Sequence, residues 1–149
     1  MVNKEVFHDM HLVQVYAPLT CAATANVEAA FGALCIETGS SEGNCFVLKM
    51  GTAANSDYQI TLMESATAAG AGSAVALADC KVRREDGDVS KVVGSKLTTT
   101  LGTDTAHTYF FEYFGNAAFI RLTSTVGTQA TIMSCDLIKT HLRHAPAHA

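Results

Sequence analysis

The amino-acid sequence predicts an all-β fold, an antiparallel β-sandwich that is jelly-roll-like. Apolar and polar residues alternate with a period of two in most apolar segments, which is typical of half-buried strands. Breaks rich in Gly, Ser, Asn, Asp and Thr separate these segments. No segment sustains the i, i+3, i+4 apolar spacing of a long amphipathic helix. About eight short strands divided by turns favour a sandwich or a jelly roll.

The first half of the chain is predicted to contain five short strands. One of them, residues 45–50, places Phe46, Leu48 and Met50 on the same face. A polar loop over residues 51–56 follows it, so we expect the strands on either side of this loop to form a β-hairpin. The predicted strands cover residues 12–16, 27–31, 33–36, 45–50 and 58–62, and residues 38–44 form a turn-rich break.

The second half begins with irregular segments and ends with three strands. Residues 64–72 are expected to form a long loop, and residues 74–80 a short strand or one turn of helix. Residues 81–88 contain the main charged cluster, which predicts a solvated loop that ends in an Asp-Gly turn. The aromatic segment 107–114, the segment 119–123 and the segment 130–138 are the predicted strands, with Gly115-Asn116 and residues 125–128 as turns. In the segment 119–123, Ile120 and Leu122 share one face and Arg121 lies on the other.

The length of 149 residues fits one domain. We predict a single domain over residues 1–149, with a polar N-terminal arm over about residues 1–10 and a His-containing C-terminal tail over about residues 140–149. The beginning of the chain lacks the apolar segment of a secretory signal. No apolar run approaches 18 residues, so we expect no membrane span.

Composition favours a protein partner over a nucleic acid. Charged residues make up 16% of the chain, against a usual share of about 25%, which suggests that a partner covers part of the surface. The formal net charge of −4 disfavours a nucleic-acid binder, which needs a basic face. The five cysteines form no C-x-x-C pair, so we expect buried free thiols in a reducing cytosol; they are Cys21, Cys35, Cys45, Cys80 and Cys135.

The tail concentrates three histidines, His141, His144 and His148, and imidazole is a common metal ligand. The alternative is a tail that docks on a partner. Pro146 prevents a regular helix from placing His144 and His148 on one face, and no acidic or thiol ligand is close in sequence. We therefore predict no metal-binding residues.

The sequence also predicts no catalytic residues and no cofactor, and hence no enzyme. The phosphate-binding glycine motifs and the G-x-S-x-G motif of hydrolases do not occur. Histidine side chains can act as general bases, but the sequence places no nucleophile near His107. A hydrogen-bonded histidine in the core or at its rim is the favoured interpretation.

Two interpretations apply to the aromatic residues 109–114. Together with Arg121 they resemble a stacking platform for single-stranded nucleic acid. Such a platform requires several basic neighbours, whereas Glu112 lies at the centre of this segment. Core packing on both faces, or a buried subunit interface, is therefore favoured.

Three passages resemble capsid decoration (cement) proteins of tailed bacteriophages. The first is the strand–polar loop–strand of residues 46–60. The second, residues 112–122, is similar to an aromatic–Gly–turn–aromatic–hydrophobic–Arg hairpin of that family. The third is the Arg-His-Ala-Pro sequence of residues 143–146.

The resemblance implies a virion structural protein that decorates and stabilises a phage capsid by binding between major capsid subunits. Its expected partners are the major capsid protein and further copies of itself, as a dimer or trimer, with no nucleic acid and no membrane. Its expected location is the capsid surface of the virion, after synthesis in the host cytoplasm. The alternatives are a tail or head-completion virion protein, and a ligand- or carbohydrate-binding jelly-roll module.

Overall fold

In the computed structural model, the described residues are 10–21, 36–39, 41–51, 58–69, 72–90, 92–93, 96–99, 107–125 and 131–142. They form β-strands together with one short 3₁₀ helix, Leu77–Asp79. The strands are β1 (Met10–Cys21), β2 (Ile36–Glu37), β3 (Ser41–Met50), β4 (Tyr58–Ser65), β5 (Ser73–Ala74), β6 (Cys80–Arg84), β7 (Val92–Val93), β8 (Lys96–Thr99), β9 (His107–Tyr113), β10 (Phe119–Thr125) and β11 (Thr131–Leu142). Within these ranges no helix has the length and hydropathy needed to cross a membrane.

The strands form two antiparallel sheets that pack face to face. The five-stranded sheet has the order β1-β11-β3-β9-β6. The six-stranded sheet has the order β2-β10-β4-β8-β7, and β5 pairs with β4. The predicted all-β sandwich is therefore confirmed.

The core lies between the sheets and follows the period-two pattern of the sequence. On β3, Phe46, Leu48 and Met50 point inward, as predicted, while the residues between them face outward. Burying a side chain of this size contributes about 1.5–3 kcal/mol. The other large buried side chains are Ile60 and Leu62 of β4, Tyr109, Phe111 and Tyr113 of β9, Ile120 and Leu122 of β10, and Met133, Cys135 and Leu137 of β11.

The predicted hairpin around residues 51–56 is wrong, and residues 112–122 do not form the hairpin that the resemblance implies. Strand β3 pairs with β11 and β9, whereas β4 belongs to the other sheet, so residues 51–57 connect the two sheets. Residues 114–118 likewise connect β9 of one sheet to β10 of the other. A short polar loop between two alternating segments has the same composition whether the strands pair or face each other across a sandwich. Only pairing between distant parts of the chain distinguishes the two arrangements.

The charged segment 81–88 is also not the loop that we expected. Its first part is strand β6, which pairs with β9 so that Lys81 lies opposite Glu112 and Arg83 opposite Phe110. Because β6 is at the edge of the sheet, its charged side chains reach solvent and also protect the edge. Only residues 85–88 form the predicted turn, in which Gly87 has a φ of 84°.

Several other boundaries differ from the prediction. Strand β3 begins at Ser41 because its first residues continue the pairing with β11. Strand β11 extends to Leu142 for the same reason, so residues 140–142 belong to the sheet and not to the tail. The predicted strand 27–31, the turn at 126–128, the arm before Met10 and the tail from residue 143 lie outside the described residues.

Tyr113 of β9 closes one end of the core by connecting both sheets. Its hydroxyl group donates a hydrogen bond to Glu64 Oε2 of β4 at 2.8 Å and accepts one from the Ala117 backbone N–H at 2.8 Å. Its ring lies where a side chain on Gly115 would be, so only glycine fits there without a shift. Burial, together with the Glu64 carboxylate, raises the pKa of Tyr113 to about 12.

Candidate interaction surface

The outward face of the five-stranded sheet carries four neighbouring uncharged residues. Cross-strand pairing places Val47 of β3 beside Phe110 of β9, and Cys45 of β3 beside Ile138 of β11. All four side chains are half-buried although they point away from the core. We call these four residues, Cys45, Val47, Phe110 and Ile138, the outer patch.

The outer patch is formed by three central strands of the sheet, and this position gives it a fixed shape. Neighbouring side chains on one face of an antiparallel pair approach to about 4.5–5.5 Å between Cβ atoms. A β-branched residue next to an aromatic one, as in the Val47 and Phe110 pair, adds about 0.2–1 kcal/mol. The result is a small apolar surface whose side chains are held in place by pairing on both sides of β3.

Two ion pairs border the outer patch. Arg83 Nη2 lies 3.0 Å from Glu112 Oε1, and the Arg83 guanidinium lies 5.2 Å from the centre of the Phe110 ring. On the other side, Lys49 Nζ lies 4.0 Å from Asp136 Oδ2. Such exposed pairs contribute about 0–1 kcal/mol to stability. These pairs place the Asp136 carboxylate directly opposite Val47 and the Glu112 carboxylate directly opposite Cys45, so the outer patch is a narrow apolar diagonal with an ion pair on each side.

A concavity of about 210 Å³ lies at one end of the same face. Its lining includes Gly43, where the Thr140 hydroxyl group occupies the space that a side chain would need. Phe114 forms one wall and is 56% exposed. Pockets for drug-sized ligands measure about 300–1,000 Å³, so this concavity fits one side chain of a partner better than a cofactor. Its lining residues are Gly43, Asn44, Cys45, Glu112, Phe114 and Thr140.

Cys45 belongs to the outer patch and also lines the concavity. Burial, together with the nearby Glu112 carboxylate, raises its pKa to about 11. The thiol is therefore protonated at neutral pH, which disfavours a role as nucleophile or metal ligand. Cys80 and Cys135 form no disulfide and are buried, as predicted, whereas Cys45 forms no disulfide but is only half-buried. The side chains of Cys21 and Cys35 are outside the described part of the structure.

His107 is held between two charged side chains at the end of β9. Its Nδ1 lies 2.8 Å from Glu85 Oε1, and its Nε2 lies 3.3 Å from Arg84 Nη1. Glu85 also accepts a hydrogen bond from the Thr108 backbone N–H at 2.8 Å. Arg84 in turn binds Asp86, and this hydrogen bond holds the pKa of the Asp86 carboxyl group well below its usual range. This geometry matches a hydrogen-bonded histidine at the rim of the sheet, which was the favoured interpretation.

The aromatic segment 109–114 divides among three environments. Tyr109, Phe111 and Tyr113 are in the core, Phe110 is in the outer patch, and Phe114 is exposed beside the concavity. Of the two favoured alternatives, core packing on both faces is therefore wrong for this segment, and a buried subunit interface stays a prediction. Arg121 belongs to β10 of the other sheet and is not part of the aromatic segment's surroundings.

The sequence contained a signal for the outer patch that the prediction did not use. Residues 45–48 form a continuous apolar run, Cys-Phe-Val-Leu, within the strand. A strand covered on one face alternates between apolar and polar residues, whereas a strand covered on both faces is continuously apolar. This run therefore indicates that the outward face of β3 is also suited to being covered.

Within the described ranges, no three His, Cys, Asp or Glu side chains are placed to hold a metal ion. Among the tail histidines, His144 and His148 lie outside these ranges. His141 is the penultimate residue of β11, where its backbone pairs in the sheet.

No protein-family model and no curated protein sequence matches this chain. The functional inference therefore depends on the outward face of the five-stranded sheet and on the three passages that resemble decoration proteins.

Proposed function

We propose that this protein is a virion structural protein that decorates and stabilises a bacteriophage capsid by binding between major capsid subunits. The outer patch is the observation that carries the proposal. Protein interfaces have a centre depleted of charge and a polar rim. The outer patch, with the Arg83–Glu112 and Lys49–Asp136 pairs at its border, has this arrangement.

The concavity beside the outer patch supports the same role. Protein interfaces concentrate binding energy where an anchoring side chain fills a pocket. Here the exposed Phe114 ring borders a concavity of about 210 Å³, a volume that one inserted side chain can fill. A capsid subunit that presents an apolar surface with one projecting side chain would complement both features.

The capsid is a fitting partner because weak contacts are sufficient on a repeating lattice. Each copy, or each member of an oligomer, binds beside others, and the effective concentration of the second contact strengthens the first. The low share of charged residues, 16%, agrees with a surface that is largely covered in the assembled particle. The link to a phage capsid in particular comes from the sequence of the passages that resemble decoration proteins, although residues 112–122 do not form a hairpin here.

We also propose that the sandwich is a jelly roll. The support is the strand order, in which β1-β11-β3-β9 of one sheet face β2-β10-β4-β8 of the other. Eight strands connected in this alternating order form two Greek keys, which is the jelly-roll arrangement. Strands β5, β6 and β7 then form an insertion, of which β6 extends the five-stranded sheet.

A binding assay with capsids that lack the protein tests the proposal. Purified protein is mixed with these capsids, and the bound fraction is measured by co-sedimentation. We expect saturable binding of the unmodified protein. Val47→Lys should weaken it at least about tenfold because the new ammonium group, even opposite Asp136, would lose its hydration in the interface. The matched control is Gln59→Lys, on the exposed face of the other sheet, which should bind normally. Absence of binding by the unmodified protein, or normal binding of Val47→Lys, would contradict the proposal.

A ligand- or carbohydrate-binding module is a second candidate, favoured by the exposed Phe114 ring beside the concavity. Aromatic rings at the border of a pocket provide apolar area for small ligands. A glycan array separates the candidates, since a specific hit that is lost with Phe114→Ala would favour this module. For the third alternative, a tail or head-completion protein, the position of the protein in cryo-EM density of the virion is decisive.

A further inference from the structure

The five-stranded sheet ends on one side with an unusually long edge strand. Strand β1 contains 12 residues, and its one neighbour among the described strands is β11. On the other side of β1, every second residue therefore directs its backbone N–H and C=O groups away from the sheet. Such an edge is a template for pairing with another strand, and natural proteins usually protect it.

The two edges of this sheet are protected very differently. Strand β6 has three charged residues among five, and the Asp88 carbonyl oxygen accepts a hydrogen bond of 3.1 Å from the Arg84 N–H. Strand β1, Met10–Cys21, contains no Asp, Glu, Lys or Arg. Charged side chains are a main means of protecting an edge, and β1 lacks them.

The first half of β1 is also regular. Five consecutive residues, from Met10 opposite Thr140 to Gln14 opposite Asp136, pair with β11 without interruption. Register shifts occur after Gln14 and again before Leu19, and Pro18 lies in this second half. Shifts and proline disfavour further pairing. Within the described part of the chain, residues 10–14 are therefore the part of the edge that is open to a new strand.

Side chains along this half are incompletely covered. Leu12 points outward and is 64% exposed. Val13 and Val15 point inward and pack against the core, but both are only half-buried because they lie at the border of the sandwich. A strand added beside β1 would cover these apolar side chains as well as the backbone groups.

We propose that β1 pairs with β1 of a second copy of this chain. The two strands run antiparallel about a two-fold axis at Leu12, so that the two five-stranded sheets form one continuous sheet. A two-fold interface requires a surface that complements itself. Strand β1 meets this requirement because no like charges face each other, whereas β6 would place arginine and lysine side chains near their own copies. This interface specifies how the chain forms a dimer, and it does not depend on capsid binding.

Sedimentation velocity over about 1 to 100 µM protein tests the pairing. The unmodified protein should form dimers, and Leu12→Lys should raise the dimer Kd at least about tenfold because two ammonium groups would meet at the axis. The control is Leu77→Lys, in the 3₁₀ helix, where the side chain is 74% exposed and the Kd should be unchanged. Monomers throughout, a trimer, or an unchanged Kd for Leu12→Lys would overturn the proposal.

Cysteine cross-linking tests the register. With Leu12 on the axis, two Leu12→Cys side chains are opposite each other and should form an intermolecular disulfide under mild oxidation. Two Gln14→Cys side chains would be separated by four residues along the strands, about 13 Å, and should not react. The readout is cross-linked dimer in excess of that given by the unmodified protein, which contains the same native cysteines. No excess for Leu12→Cys, or more for Gln14→Cys, would overturn the proposed axis.

A further variant separates this proposal from the capsid proposal. Val47 lies in the outer patch, away from the β1 edge, because β11 lies between β3 and β1. Val47→Lys should therefore form dimers with an unchanged Kd even if it no longer binds capsids. If Val47→Lys is a monomer while Leu12→Lys is a dimer, the outer patch and not β1 forms the dimer interface.

Discussion

The hydroxyl group of Tyr113 provides the most direct test of how the two sheets are held together. The side chain is 1% exposed, and its oxygen atom bonds both the Glu64 carboxylate and the Ala117 N–H at 2.8 Å. The change Tyr113→Phe removes this one oxygen atom and keeps the ring. It leaves Glu64 without its donor and Ala117 without its acceptor.

The expected cost follows from the two lost partners. A hydrogen bond to a charged group contributes about 1.5–3 kcal/mol, and an unsatisfied buried N–H costs about 1–3 kcal/mol. Because Glu64 and Ala117 are half-buried and water can partly replace the hydroxyl group, we expect a loss of about 2–4 kcal/mol in the free energy of unfolding. For a chain of this size that corresponds to a decrease in Tm of about 5–15 °C.

The same contact predicts a specific dependence on alkaline pH. The pKa of Tyr113 is raised from 10 to about 12, so the folded state favours the neutral phenol. Its contribution to stability is complete below pH 10 and is lost as the pH rises through about 12. The difference in stability between the unmodified protein and Tyr113→Phe should therefore decrease over this range. The other titrating groups are present in both proteins and cancel.

Urea denaturation followed by circular dichroism, at pH 8 and again at pH 11.5, measures both effects. The control is Glu64→Gln, which retains an oxygen acceptor for the Tyr113 hydroxyl group and should cost about 1 kcal/mol or less. If Tyr113→Phe changes the free energy of unfolding by less than about 0.5 kcal/mol, the hydroxyl group does not hold the sheets together. An equal difference at both pH values would refute the assigned pKa.

Two further predictions concern Gly115 and Cys45. Gly115→Ala should lower the free energy of unfolding by about 1–3 kcal/mol because its Cβ would overlap the Tyr113 ring. The control Gly87→Ala should cost about 1 kcal/mol, since its Cβ meets no atom and only its φ of 84° opposes the change. Equal costs of the two variants in chemical denaturation would show that the ring can move. Cys45, with a pKa of about 11, should react with iodoacetamide at pH 7.5 roughly 100-fold more slowly in the folded protein than after unfolding, because its thiolate fraction is that much smaller. Peptide mass spectrometry identifies the modified residue, and equal rates in the two states would contradict the prediction.

The sequence determined the strands and their inward faces where period-two patterning was strong. Phe46, Leu48 and Met50, and likewise Ile120 and Leu122, are buried as their spacing predicts. These predictions succeeded because alternate side chains of any strand point to opposite faces, which is a local property of the backbone. The sequence also shows that residues 10–21 contain no Asp, Glu, Lys or Arg. This absence indicates an unprotected edge only because the tertiary structure places β1 at the edge of a sheet.

The tertiary structure decided which strands pair, and therefore which side chains share a surface. Met10 pairs with Thr140 although the two are at opposite ends of the chain, and no local pattern encodes that contact. Long-range pairing also placed Val47 beside Phe110 and assigned β3 and β4 to different sheets. Packing of the two sheets then brought Tyr113 to Glu64. Short-range patterns specify which face of a strand is apolar. The partner of that face is selected by the free energy of packing the whole core, which depends on all strands at once.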